Sequence, residues 1–98
     1  MIFVNNKKLF EMALIGKCDN DKVEVYTDHT PIHIHWKGCK IDVTDKNNIT
    51  VLDGNLSERE LNLFKKWLNE YCSRKNMGKM TNLEAIYAIW DALNPDEI

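Results

Sequence analysis

The clearest periodicity in the chain runs from residue 32 to residue 43. There "IHIHWKGCKIDV" alternates apolar and polar positions on both sides of Lys37 and Gly38. Alternation of period two sends successive side chains to opposite faces of a strand. A glycine-bearing two-residue link between two such runs predicts a tight hairpin. With Lys37 and Gly38 as the turn, Trp36 opposes Cys39, His35 opposes Lys40, Ile34 opposes Ile41 and His33 opposes Asp42. Ile32, Ile34, Trp36, Cys39, Ile41 and Val43 then share an apolar face, the expected core. His33, His35, Lys40 and Asp42 share the other. A one-residue slip would exchange the two sets, so the register is well specified.

The flanking pattern supplies the rest of the domain. Asp19, Asn20 and Asp21 signal a turn. After it "KVEVYTD" alternates, with Val23, Val25 and Thr27 on one side and Glu24, Tyr26 and Asp28 on the other. "ITVL", after the polar run at residues 45–48, predicts a further strand. Ser57 with Glu60, and Thr81 with Glu84, are capping-box pairs that open two helices. Leu56 and Leu61 are placed as a hydrophobic staple. Leu61, Phe64, Leu68, Tyr71 and Cys72 form the expected buried stripe of the first helix, carried through "LSERELNLFKKWLNEYC" with Gly78 marking where the segment ends. Trp67 falls off that stripe and is expected to be exposed. Leu83, Ile86, Tyr87, Trp90 and Leu93 form the stripe of the second helix, which Asn94 and Pro95 stop. The segment "KKLFEMALIG" admits a helix, with Lys7, Lys8 and Glu11 on one side and Gly16 closing it, or a strand. The expected architecture is α+β: a small antiparallel sheet of about three to four strands packed against two C-terminal helices.

Composition narrows the function classes. Ninety-eight residues make one domain with one modest core. The apolar runs are too short to cross a bilayer, and the N-terminus lacks a basic leader with a sustained apolar stretch. The three cysteines, Cys18, Cys39 and Cys72, are widely spaced and contain no CxxC pair, so reduced thiols in a cytoplasmic protein are expected. A net charge of −2 argues against bulk attraction to nucleic acid. Lys65, Lys66, Arg74, Lys75 and Lys79 run against that balance. They provide a solvated helix face or a patch for a protein or nucleic-acid partner.

All three histidines, His29, His33 and His35, lie within "TDHTPIHIHW". Histidines two apart on a strand project from one face, close enough to share a divalent metal such as zinc or manganese. Asp42, opposite His33, is the candidate third ligand, and His29 could join from the preceding loop. Glu24 and Tyr26 fall on the same side if their strand is the neighbour. The alternative is an ordinary polar strand face with a His33–Asp42 cross-strand pair. Cys39 belongs to the opposite, apolar face. A histidine-triad nucleotide hydrolase is excluded, because positions 31 and 37 are Pro and Lys.

The order strand, "DHTPIHIHW", hairpin, short strand, "GNLSERELNLFKKWL" and "TNLEAIYAIWDAL" resembles the small bacterial and phage proteins grouped as domain of unknown function 4160. The resemblance covers about Val23 to Leu93. It departs from the family pattern where Ile32 separates Pro31 from His33. What it implies is a small cytoplasmic protein, in some cases encoded beside toxin–antitoxin or phage genes, with no established reaction. Two functions follow. One is an interaction module of a mobile element or toxin–antitoxin pair. The other is a metal-dependent phosphodiesterase, similar to the His-hydrophobic-His nucleases of the replication-initiator and relaxase type. In that case His33 and His35 would hold the metal and Tyr71 would attack, with Lys75 a turn beyond it. The exposed Trp67 leaves self-association open.

Overall fold

Five antiparallel strands form one sheet in sequence order, β1-β2-β3-β4-β5. The structure, a computed structural model, describes residues 12–95. The strands are β1 (Met12–Cys18), β2 (Asp21–Tyr26), β3 (His33–Trp36), β4 (Cys39–Asp42) and β5 (Thr50–Asp53), followed by α1 (Glu58–Leu68) and α2 (Asn82–Leu93). The domain is therefore α+β, with one strand more than the sequence pattern suggested. That strand is β1, whose residues also suit a helix until β2 is there to pair with. Lys7, Lys8 and Glu11 lie outside the described residues.

Two tight turns set the register. Asp19 and Asn20 have φ of 52° and 67°, and Lys37 and Gly38 have φ of 51° and 73°. Two successive positive φ values match the right-handed twist of the strands they join. The β3–β4 pairing is the one the alternation demands: His33 with Asp42, Ile34 with Ile41, His35 with Lys40 and Trp36 with Cys39. Lys37 joins the two turns, its Nζ lying 2.7 Å from Asp21 and 3.2 Å from Asp19.

The core is one cluster of side chains from the sheet and the two helices. Ile34, Trp36, Cys39, Ile41 and Val43 are buried there with Val23 and Val25. Trp36 stacks on Phe64 at 5.3 Å, and its indole N–H donates to the Cys18 carbonyl. β1 carries an extra residue, Ile15, between the Leu14–Glu24 and Gly16–Val23 pairs. Such a bulge re-aims one side chain, and Ile15 is buried.

Both capping boxes form. Ser57 accepts from the Glu60 N–H and Thr81 from the Glu84 N–H, while each glutamate accepts from its cap residue's N–H. The first helix, however, stops at Leu68 rather than continuing through Cys72. Beyond Asn69 the chain becomes extended and pairs with residues 80–82: Cys72 N–H donates to Met80 O and Asn82 N–H to Glu70 O, both at 2.8 Å. Cys72 is still buried, but Tyr71 points outward and is 75% exposed. Trp67 is corrected in the opposite sense. It is buried against Phe64, with its ring edge close to Gly16. No helix among the described residues is long and apolar enough to cross a membrane.

Candidate functional site

The histidine-bearing face is less open than alternation alone implies. His35 is half-buried, its ring 4.5 Å from that of Tyr26. Tyr26 donates its hydroxyl proton to Glu24. His33 has no exposed surface at all. Its ring stands edge-on to Trp90 at 5.3 Å and to His35 at 5.4 Å. The strand places His33 and His35 together, and α2 then covers one of them.

The loop between β2 and β3 provides both neighbours of the His33 ring nitrogens. Nδ1 lies 2.7 Å from the Pro31 carbonyl. A carbonyl can only accept, so Nδ1 is the protonated nitrogen. Nε2 lies 3.2 Å from Asp28 Oδ2. Asp28 is itself fixed at the end of α2: its N–H donates to Asn94 Oδ1 at 2.8 Å, and its Oδ1 accepts from the His29 N–H. That backbone bond is the main reason the Asp28 carboxyl sits below the usual carboxylate range; partial burial opposes it.

Asp42 stands opposite His33 in register, but its Oδ1 accepts from the Thr44 N–H and closes the following turn. Burial, with the neighbouring His33 and Lys40, lowers the His35 pKa. His29 is exposed on the loop. Among the described residues no group of three or more His, Cys, Asp or Glu side chains is arranged to hold a metal ion.

Tyr71 and Lys75 lie elsewhere. Tyr71 pairs with Thr81, which caps the start of α2, whereas His33 touches Trp90 near its end. Nine residues at 1.5 Å each separate those points by about 13 Å along the helix. The predicted nucleophile and the predicted metal face are not brought together.

The basic run is divided as well. Lys65 lines a groove with Lys46, Ile49 and Leu83, and Lys66 lines another with Glu58 and Arg59. Arg74 donates from its guanidinium to the Leu14 carbonyl on β1. Lys75 and Lys79 are exposed on the loop that carries Tyr71. Asn76, Met77, Gly78, Lys79 and Met80 line a shallow, mainly apolar groove there.

Residues 22–74, more than half of the chain, match the family model described as Domain of unknown function (DUF4160). The chain belongs to the DUF4160 family. No curated protein and no solved structure matches it. The DUF4160 match includes the Asp28–His33 pair and Tyr71, while Trp90 and Asn94 lie beyond it. Asp28 is the site residue that sequence reasoning passed over in this DUF4160 chain. A signal existed: Glu24 pairs with His35, so the antiparallel run puts Tyr26 beside His33 and leads Asp28 past it. The three thiols are free and buried, and burial, helped by Asp19, pushes the Cys18 thiol up to about 11.

Proposed function

We propose that this DUF4160 protein is a cytoplasmic interaction module. In this reading residues 70–81 form its docking surface, and a protein segment combining an apolar anchor with acidic residues is its partner. The observation that supports it is Tyr71. The residue is 75% exposed, yet its backbone is held on both sides by hydrogen bonds to residues 80–82. An exposed aromatic ring on an ordered backbone loses little freedom on binding, which is why tyrosine recurs at the energetic centres of interfaces.

The surroundings suit that partner. Met77 and Met80 offer an adaptable apolar surface, and Lys75 and Lys79 add positive charge. An inhibitor of a host enzyme or one half of a toxin–antitoxin pair, carried by a phage or mobile element, fits such a module. Less support goes to the phosphodiesterase alternative, because Tyr71 and His33 lie near opposite ends of α2.

Selection of displayed peptides on the immobilised protein tests the reading. Enrichment of apolar residues flanked by Asp or Glu, lost on a Tyr71→Ser or Lys75→Glu/Lys79→Glu protein, is the expected result. Peptides indifferent to these changes, or tighter binding of a single-stranded oligonucleotide through the same residues, would contradict it.

A further inference from the structure

Buried polar atoms in folded proteins have hydrogen-bond partners, and one without a partner requires an explanation, an ion among them. His33 Nε2 is such an atom. It is completely buried and makes no hydrogen bond among the described residues. Asp28 Oδ2 lies 3.2 Å away, within ion-pair distance, yet Nε2 has no hydrogen-bond partner. Because Nδ1 donates to Pro31 O, the neutral ring presents a lone pair at Nε2, towards a carboxylate oxygen that is also rich in electrons. With the ring in that form two electron-rich atoms stand 3.2 Å apart, an arrangement that a shared cation relieves.

We propose that His33 Nε2 and Asp28 Oδ2 are two ligands of a divalent metal ion of the zinc–cobalt–nickel class, with water completing its shell. The spacing fits. Two ligands of a tetrahedral ion with bonds near 2.1 Å lie about 3.4 Å apart, against the 3.2 Å between these atoms. The surroundings fit also. A backbone carbonyl on the far nitrogen of a histidine is the arrangement that fixes ring orientation and leaves the near nitrogen free for a metal. Pro31 supplies it. Asp28 keeps one oxygen available because the His29 N–H occupies only the other. The Asp28 side chain is 41% exposed and so gives an ion a way in. The imidazole nitrogen favours zinc, cobalt or nickel over calcium or magnesium, which take oxygen ligands.

The site differs from the one that strand alternation suggests. Asp42 is held by its own turn, and the carboxylate comes instead from the loop before β3. The ion would tie that loop to β3 beside the end of α2, where Asn94 already binds Asp28. The assignment is independent of the Tyr71 surface.

Calorimetric titration of the untagged 98-residue protein with zinc chloride tests it, alongside Asp28→Asn, His33→Gln and Asp42→Asn proteins. One ion per chain is expected, with affinity falling at least tenfold in Asp28→Asn and His33→Gln and unchanged in Asp42→Asn. Cobalt spectra without a thiolate charge-transfer band would exclude the cysteines. Nitrogen NMR of the wild type covers the case in which His33→Gln fails to fold: an unprotonated Nε2 that shifts on adding zinc is expected. No binding, binding indifferent to Asp28→Asn, loss in Asp42→Asn, or an Nε2 that carries a proton in the free protein would each overturn the assignment.

Discussion

Replacing His33 with leucine, a side chain close to it in volume, separates a histidine kept for its nitrogen from one kept for stability. The substitution removes the Nδ1–H bond to Pro31 O, worth about 1 kcal/mol. It also removes the edge contacts with Trp90 and His35, worth about 0.5–1.5 kcal/mol for an aromatic pair. Against this, it deletes a buried nitrogen without a partner, whose desolvation costs about 1–3 kcal/mol. The terms nearly cancel, so metal-free His33→Leu should lie within about 1 kcal/mol of the wild type. Urea unfolding followed by tryptophan fluorescence reads this as a midpoint shift of less than about 1 M. A loss of about 3 kcal/mol or more would refute the reasoning. That is the cost of breaking a buried ion pair, and it would mean that the ring is held as an imidazolium against Asp28.

Gly54 and Gly38 both have positive φ, but only at Gly54 would a Cβ collide, 2.7 Å from Cys39 Sγ and 3.0 Å from Gly38 O. Gly38→Ala should cost about 1–2 kcal/mol from backbone strain alone, and Gly54→Ala about 1–3 kcal/mol more from overpacking; equal midpoints in denaturation would contradict this. The Asp28 carboxyl is lowered on folding, chiefly by the His29 N–H, so its contribution is present above the ordinary carboxylate range and disappears as pH falls through the lowered value. The stability advantage of wild type over Asp28→Asn should therefore shrink on acidification, and an advantage that grows in acid would reverse the sign of the argument. With its thiol pushed up to about 11 by burial, Cys18 should resist alkylation at pH 8 in the native protein and react once urea unfolds it. Rapid native labelling at Cys18, read by mass spectrometry, would show that the site is open.

Where local pattern and tertiary partners agree, the fold was legible in the residues themselves. The β3–β4 register followed from alternation around Lys37 and Gly38, because a slip would have placed isoleucines in water. Both helix starts followed from pairs three residues apart, a purely local chemistry. The end of α1 was not legible. Tyr71 and Cys72 continue the helical stripe, and only the backbone groups of Met80 and Asn82, distant in sequence, draw residues 70–72 into extended pairing. Burial of Trp67 depends on β1 approaching across Gly16, which the helix alone does not reveal. For the candidate site, alternation correctly put His33 and His35 on one face. It missed Asp28 as the carboxylate and Trp90 as the cover, since both reach His33 from segments outside the hairpin.

In the proposed function Tyr71 serves binding and not folding. The most direct test of that role is the dissociation constant of one selected acidic peptide for wild type and for Tyr71→Ser, with the unfolding midpoint of each protein measured in parallel. A residue 75% exposed contributes little to stability through its side chain, so the midpoints should coincide. An anchor at the centre of an interface is worth about 2 kcal/mol or more, so affinity should fall by more than about tenfold. Equal affinities, or a loss of affinity that merely tracks a loss of stability, would contradict the account.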